Sequence, residues 1–185
     1  DGTFDDCQRM VKEAFMDADF AKELNLMSAN SINVGRILPQ SFYYLWTSMQ
    51  MDIAEDQYLV YSVPSGNMGN ITGAYFAQKM GSPIDHLVVA NNANHPFVDY
   101  LNNGEFVPVD SVQTYSNAMD IGRPNNFFRI EHLFSGNVER IREYFSGYCF
   151  TDKETIDAMG EVSQNFDYLM CPHTAVGYLG AKKYL

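Results

Sequence analysis

The sequence predicts an α/β fold with three layers, αβα, around a mostly parallel sheet. The first sign is the stretch 58–81, where a short β-branched and aromatic run leads through a turn with two glycines into a helical pattern. The second is the continuous apolar run 84–90, which is typical of a strand covered on both faces. Strand-like and helix-like segments alternate along the rest of the chain, without an internal repeat or a linker. We therefore expect residues 1–185 to form a single α/β domain.

Mostly helical patterns precede the central strand. Acidic residues Asp5 and Asp6 lie in the first turn of the first helix, where the helix dipole favours negative charge. Pro39 lies inside a longer helical pattern, so it marks a kink or the true first turn. The predicted segments are a strand end at 1–2, helices at 3–18, 19–24 and 34–49, and a brief strand at 26–28.

The central unit is a strand over 58–63, a turn, and a helix. Pro64 closes the strand, and apolar residues recur at spacings of three from Ile71 to Met80. Gly81 is the expected C-terminal stop of this helix.

Strands and helices continue to alternate after the central unit. Gly104 closes one helix, and Thr151 with Glu154 has the spacing of a capping box at the start of another. The predicted segments are strands at 84–90, 148–150 and 168–170, and helices at 95–103, 126–134, 138–145 and 151–166, with a turn at 171–174 that leads into a last helix through 175–179.

Composition narrows the class of partner and the compartment. The 185 residues are 46% hydrophobic and carry a formal net charge of −11, which argues against nucleic acid and anionic membranes as partners but leaves room for a small anion held by backbone amides. No secretory or membrane-spanning pattern is visible in the sequence. Three widely separated cysteines suit a reducing compartment, so we expect a cytoplasmic protein.

The turn between the central strand and its helix has the character of a phosphate site. Gly66 and Gly69 allow a tight turn and a close ligand approach, and such a turn directs unpaired N–H groups and the positive end of the helix dipole at one spot. The alternative is an ordinary turn in which Asn67 and Asn70 cap the helix. Neither a Walker loop nor a dinucleotide fingerprint fits, and Ser65 lacks the context of a hydrolase nucleophile.

Asparagines follow several predicted strands. In a parallel sheet the carboxyl-end loops gather at one edge, so these amides are expected to converge with the glycine turn on a polar pocket, although asparagine also simply favours turns. Arg36 suits either an anionic substrate or the solvent-exposed surface. The histidines have no metal-site spacing, and we expect structural or surface roles for them. The asparagines are Asn30, Asn33, Asn91, Asn92, Asn94 and Asn117; the histidines are His86, His95, His132 and His173.

Several of these segments together resemble the threonine synthases. The matching segments, in family order, are DGTFDDC at 1–7, SANSIN at 28–33 with Arg36, VPSGNMGN at 63–70, SNAMD at 116–120 and PHTA at 172–175. The resemblance covers essentially the whole chain. Its most specific part is similar to the loop with which that family holds the phosphate of pyridoxal 5′-phosphate.

This resemblance implies part of the large domain of a fold-type-II pyridoxal-phosphate enzyme, converting O-phospho-L-homoserine and water to L-threonine and phosphate. The implied cofactor-phosphate residues are Ser65, Gly66, Asn67, Met68, Gly69 and Asn70. The implied substrate-side residues are Asn30, Ser31, Asn33, Arg36, Asn117 and Asp120. Cys171 departs from the family pattern, in which an acidic residue precedes the proline.

The family pattern also implies that the chain is a fragment of a longer two-domain enzyme. The Schiff-base lysine is expected upstream of Asp1, and the partner of the pyridine nitrogen downstream of Leu185, so no catalytic residue is expected here and the isolated chain is predicted to be inactive. Two other functions remain open. One is another enzyme of the same fold type, such as a serine/threonine dehydratase or a sulfhydrylase, and the other is a non-catalytic homologue that binds a phosphorylated metabolite or a partner.

Overall fold

A computed structural model describes residue 2, residues 4–31 and residues 33–185, with the backbone alone at Phe4. Within these ranges it contains one parallel sheet of three strands in the order β1-β2-β3, namely β1 Val60–Pro64, β2 His86–Asn91 and β3 Phe145–Cys149. In the register of the sheet, Val63 pairs with Val89 and Val89 with Gly147. The parallel sheet predicted from the apolar run 84–90 is therefore confirmed.

Ten α-helices and two 3-10 turns surround the sheet in the described part of the chain. The helices are α1 Phe4–Met16, α2 Ala18–Leu24, α3 Val34–Ile37, α4 Ser41–Gln50, α5 Gly69–Lys79, α6 Pro96–Asn103, α7 Phe127–Leu133, α8 Val138–Tyr144, α9 Asp152–Phe166 and α10 Pro172–Tyr184. The 3-10 turns are Leu38–Gln40, which contains Pro39 and interrupts the predicted long helix, and Asn117–Met119. None of these helices has the length and apolar character needed to cross a membrane.

The helices form layers on the two faces of the sheet. On one face, Leu87 and Val89 of β2 pack in the main core with Ile71 of α5 and Phe97 of α6. On the other face, Ala90 packs with Val176 of α10, and α9 lies against α10. The alternation of a strand's side chains sends neighbouring residues to opposite faces, which explains why β2 is apolar throughout. The three-layer prediction is confirmed.

Helix α10 approaches the sheet closely because glycine faces it there. A Cβ on Gly180 would lie 2.5 Å from Ser62 Oγ and 2.8 Å from Ala90 Cβ, and one on Gly177 would lie 3.0 Å from Pro64 Cδ. The Ser62 hydroxyl also donates to the Gly177 carbonyl over 2.6 Å. The carboxyl end of β1, where the glycine turn begins, is thus held by α10.

Some predicted elements differ from the structure. The segments 26–28 and 168–170 are not strands, since no neighbouring strand pairs with them, and Met27 and Leu169 are 84% and 81% exposed. Phe145 was expected at the end of a helix, but it opens β3, which begins three residues earlier than predicted and pairs with buried Leu87. The strand end expected at 1–2 and the helix start at Thr3 lie partly outside the described residues.

The start of α9 confirms a local prediction. Thr151 Oγ1 accepts the Glu154 N–H, and the Glu154 carboxylate accepts the Thr151 N–H, which completes the capping box.

Candidate functional site

The loop between β1 and α5 begins with a serine that is fully engaged by the protein. The Ser65 N–H donates to the Ala90 carbonyl over 2.8 Å, and its hydroxyl donates to the Val63 carbonyl over 2.9 Å. Asn91, the last residue of β2, donates its side-chain N–H to the Ser65 carbonyl. Ser65 is therefore fixed against the carboxyl end of the neighbouring strand.

The next five backbone N–H groups, from Gly66 to Asn70, are in the opposite situation. Among the described residues none of them has a protein acceptor, and the start of α5 has no side-chain cap. Met68 lies in the left-handed region with φ of 62°, which turns the chain into the first turn of the 11-residue helix. Consecutive N–H groups around a left-handed residue at a helix N-terminus form a concavity that suits an anion such as phosphate.

Asn67 anchors this loop from three sides. Its Oδ1 accepts the Asn125 N–H over 2.6 Å, and its Nδ2 donates to Ser31 Oγ over 2.5 Å. Its carbonyl accepts Nδ2 of Asn126, a residue with no exposed surface, over 2.8 Å. Buried, fully paired amides hold a backbone rigidly, so the loop is preorganised.

Asn70 ties the start of α5 to α4. Its Oδ1 accepts the Tyr44 hydroxyl, and its Nδ2 donates to Gln40 Oε1 over 3.2 Å. Burial raises the pKa of Tyr44, so its phenol keeps the proton that it donates. The side chains of Asn67 and Asn70 are thus engaged outside α5, and the alternative in which they cap the helix is wrong.

The structure gives Gly66 a packing role that the sequence did not indicate. A Cβ on Gly66 would lie 2.7 Å from Met119 Cα and 3.1 Å from Ile121 Cγ1, so this glycine makes room for the 3-10 turn. A Cβ on Gly69 would make ordinary contacts, 3.4 Å from Ser31 Cβ. The positive φ of the loop belongs to Met68, not to either glycine.

The segment around residues 28–36 contacts the loop through the side chain of Ser31. Ser31 accepts the hydrogen bond from Asn67 described above. Asn33 instead caps α3, accepting the Gly35 N–H over 2.9 Å, and Asn30 accepts the Ser28 hydroxyl over 2.9 Å. Exposed Arg36 donates to the carbonyl of Ala29 within its own segment.

Asp120 anchors the turn that packs on Gly66. Its Oδ1 accepts hydrogen bonds from Asn92 Nδ2 over 2.9 Å, Asn94 Nδ2 over 3.1 Å and Thr114 Oγ1 over 2.7 Å. Asn117, at the start of the same turn, is exposed. Asn92 and Asn94, expected to converge with the glycine turn on a polar pocket, instead bind Asp120 at the end of the 3-10 turn.

Sequence reasoning missed several residues that shape the site. Asn125 and Asn126 contact the loop from 58 and 59 positions away, and Tyr44 from 26 positions away. The Pro-Asn-Asn run at 124–126 is a turn signal, but no local pattern says what it contacts. His173 accepts the Ala118 N–H over 3.2 Å, which links the start of α10 to the 3-10 turn.

Cys171 precedes α10 as its N-terminal cap residue and is exposed. Hydrogen bonds from Thr174, chiefly its side chain, and from His173 lower the thiol pKa to about 7. No cluster of histidine, cysteine and acidic side chains suited to a metal occurs in the described part of the chain.

Known proteins resemble this chain in both sequence and fold. The family model for "Pyridoxal-phosphate dependent enzyme" matches residues 1–185. The chain is 40% identical over 178 residues to the threonine synthase of Serratia marcescens and 42% identical over 175 residues to that of Haemophilus influenzae. These alignments cover 96% and 95% of the chain but 41% of each relative, so the chain spans about two fifths of their length.

Solved structures give the same result. Threonine synthase from Escherichia coli superposes with a TM-score of 0.92 and 37% identity, covering 100% of this chain and 43% of that one. The pyridoxal-phosphate-bound threonine synthase from Brucella melitensis gives 0.87 and 32%, with 100% and 45% covered. Maize serine racemase, at 18% identity and a TM-score of 0.60 over 79% of this chain and 41% of its own, shares the fold alone.

Proposed function

Because the chain belongs to the pyridoxal-phosphate-dependent enzyme family, we propose that it carries the cofactor-phosphate loop of a threonine synthase. The reaction is the conversion of O-phospho-L-homoserine and water to L-threonine and phosphate. The observation that carries the proposal is the run of five backbone N–H groups, from Gly66 to Asn70, without protein acceptors in the described chain. The similarity to threonine synthases along nearly the whole chain supports the substrate.

The loop fits the phosphate of the cofactor in charge and in shape. The unpaired N–H groups, the left-handed Met68 and the N-terminus of α5 all favour an anion at the same place. Ser65, Gly66, Asn67, Met68, Gly69 and Asn70 would hold it, with Ser65 able to turn its hydroxyl from the Val63 carbonyl. When bound, pyridoxal phosphate supplies the electron sink that the chemistry requires.

The side chains around the loop position it and do not react. Asn67 and Asn70 fix its two ends, while Asp120 holds the turn beneath Gly66. Ser31 lies at the loop through Asn67, so we place it nearest the substrate among the substrate-side residues proposed from the sequence. Those residues are Asn30, Ser31, Asn33, Arg36, Asn117 and Asp120.

The lysines of the chain support the expectation that the reacting lysine lies upstream. Lys12 contacts Asn125, Lys79 lies over the Tyr75 and Tyr144 rings, Lys153 pairs with Asp157 and Lys182 with Glu161. None of the six lysines contacts the loop within the described residues. We therefore propose that this chain supplies cofactor binding within a longer two-domain, cytoplasmic enzyme.

The test uses the full protein that contains this chain, titrated with pyridoxal phosphate and followed by visible absorbance. We expect a saturable cofactor band and then release of inorganic phosphate from O-phospho-L-homoserine with formation of L-threonine. Release of ammonia from L-serine without phosphate release would instead favour a dehydratase. Cofactor binding without either reaction would favour the non-catalytic binder, and threonine formation by the 185-residue chain alone would contradict the assignment of the lysine.

A further inference from the structure

A cleft lies between α1 and the segments 110–111 and 123–125, next to residues 65–70, which we call the phosphate loop. Its volume is about 540 Å³, within the ordinary range for small-molecule sites. We name it the α1 cleft and define it by Asp5, Gln8, Lys12 and Asn125. The Asn125 N–H donates to Asn67 Oδ1, so the cleft and the phosphate loop share a wall.

Gln8 is a buried polar side chain without a partner. It is 4% exposed, it lines the α1 cleft, and neither its Oε1 nor its Nε2 has a hydrogen bond among the described residues. The Nδ2 of Asn125 is likewise buried and unpaired. Buried amides are normally satisfied, so an unpaired carbonyl and two unpaired N–H₂ groups in one cleft indicate a ligand with its own donors and acceptors.

The charges of the cleft divide into paired and unpaired groups. Arg9 pairs with Glu13 at 2.9 Å, and Arg123 with Asp110 at 3.7 Å. Lys12 contacts the Asn125 side-chain carbonyl and no carboxylate within ion-pair distance in the described chain.

Asp5 supplies the opposite charge. It accepts one hydrogen bond, from the Gly122 N–H over 3.3 Å, and the structure gives it no ion-pair partner among the described residues. Burial raises the pKa of this carboxyl, while the Gly122 hydrogen bond and the nearby charges of Arg123 and Lys12 act in the opposite direction. Neither Lys12 nor Asp5 forms an ion pair within the described residues, and both line the cleft together with the Gln8 amide.

We propose that the α1 cleft binds a zwitterionic α-amino acid. The ligand carboxylate would be received by Lys12, Asn125 Nδ2 and Gln8 Nε2, and the ammonium group by Asp5 and Gln8 Oε1. A phosphate dianion is disfavoured, because the acidic side chains of the lining outnumber the basic ones. The proposal does not depend on the proposed reaction, since none of these residues belongs to the phosphate loop.

The experiment is ligand-observed saturation-transfer NMR on the full protein with its cofactor, using sarcosine as the probe. Sarcosine is the smallest zwitterion with a secondary amine, so it keeps two N–H donors and forms no stable neutral imine with an aldehyde cofactor. We expect saturable binding of sarcosine with a dissociation constant below about 100 mM. Acetate and methylammonium should each bind at least about tenfold more weakly, because each offers only one of the two charges.

Variants locate the binding. Lys12→Gln and Gln8→Met are each expected to weaken sarcosine about tenfold, while Lys22→Gln on exposed α2, the matched control, changes it less than about twofold. Gln8→Met should also raise the melting temperature of the ligand-free protein, because it removes an unpaired buried amide. The proposal is overturned if sarcosine shows no saturable signal, or if it binds the Lys12 and Gln8 variants as well as the control. The cofactor band reports the phosphate loop separately, so either assignment can fail alone.

Discussion

Replacing Gly66 with alanine tests how the phosphate loop is built. The new methyl group would lie 2.7 Å from Met119 Cα and 3.2 Å from the Ala118 carbonyl oxygen. Both are backbone atoms, so no side chain can rotate away. The turn must move until the closest contact reaches at least the ordinary 3.4 Å, and it is held in place by the hydrogen bonds of Asp120.

Overpacking of this kind costs about 1–3 kcal/mol. If the strain is relieved by moving the loop, cofactor affinity falls about 5- to 150-fold. If it is relieved in the core, the melting temperature of the cofactor-free protein falls instead. The assay is a titration of the dialysed full protein with pyridoxal phosphate, paired with thermal unfolding of the cofactor-free form. We expect Gly66→Ala to lower clearly either the affinity for the cofactor or the melting temperature of the cofactor-free form.

Gly69→Ala is the matched control. Its methyl group would make ordinary contacts with Ser31 at 3.4 Å and with Asn126 Nδ2 at 3.5 Å, and alanine suits the first position of α5. We expect cofactor affinity within about threefold of the starting protein, because the added methyl needs no movement. If Gly69→Ala loses the cofactor as severely as Gly66→Ala, the glycines serve ligand approach, and the packing explanation is wrong.

Three further predictions concern the scaffold. Gly180→Ala should be less stable than Gly160→Ala by about 1–3 kcal/mol in urea unfolding. The methyl at position 180 would lie 2.5 Å from the Ser62 hydroxyl of β1, whereas the methyl at position 160 has no neighbour within 4 Å. Equal effects would contradict the packing of α10. Thr151→Ala should cost about 1 kcal/mol by removing the capping box, and an unchanged urea midpoint would contradict that contact. Iodoacetamide at pH 7 should label Cys171 about tenfold faster than Cys149. A pKa near 7 leaves about half of the Cys171 thiol ionised, whereas burial raises the pKa of Cys149. The ratio of the two labelling rates should fall towards pH 9, and equal rates at pH 7 would refute the prediction.

Most of the fold could be predicted from the sequence because its signals are local. The apolar run 84–90 identifies a strand buried on both faces, and the Thr151 capping box identifies the start of α9. The errors occur where pairing decides the structure. Phe145 follows a helical pattern, and only its pairing with Leu87 of β2 makes it a strand residue. Residues 26–28 pair with no strand of the sheet, and the side chain of Met27 is exposed.

The candidate site could be predicted less completely. A strand that enters a helix through a glycine turn indicates an anion site, and the structure has that turn at 64–70. The reason for Gly66 could not be predicted, because its neighbour Met119 is 53 positions away in sequence. The left-handed residue is Met68, and nothing in its side chain distinguishes it from the residues around it.

The asparagines near the loop show how side chains and backbone divide the work. The side-chain amides of Asn67 and Asn70 do not cap α5 but bind protein groups on both sides of the loop. Because those amides fix the loop, its backbone N–H groups stay unpaired without the loop collapsing onto them. A backbone N–H is present whatever the side chain, so the preference of this loop for an anion depends on the shape of its backbone. If the loop holds the cofactor phosphate as proposed, replacing a side chain that holds this shape, such as Asn126 or Asp120, is expected to weaken cofactor binding although neither residue belongs to the loop.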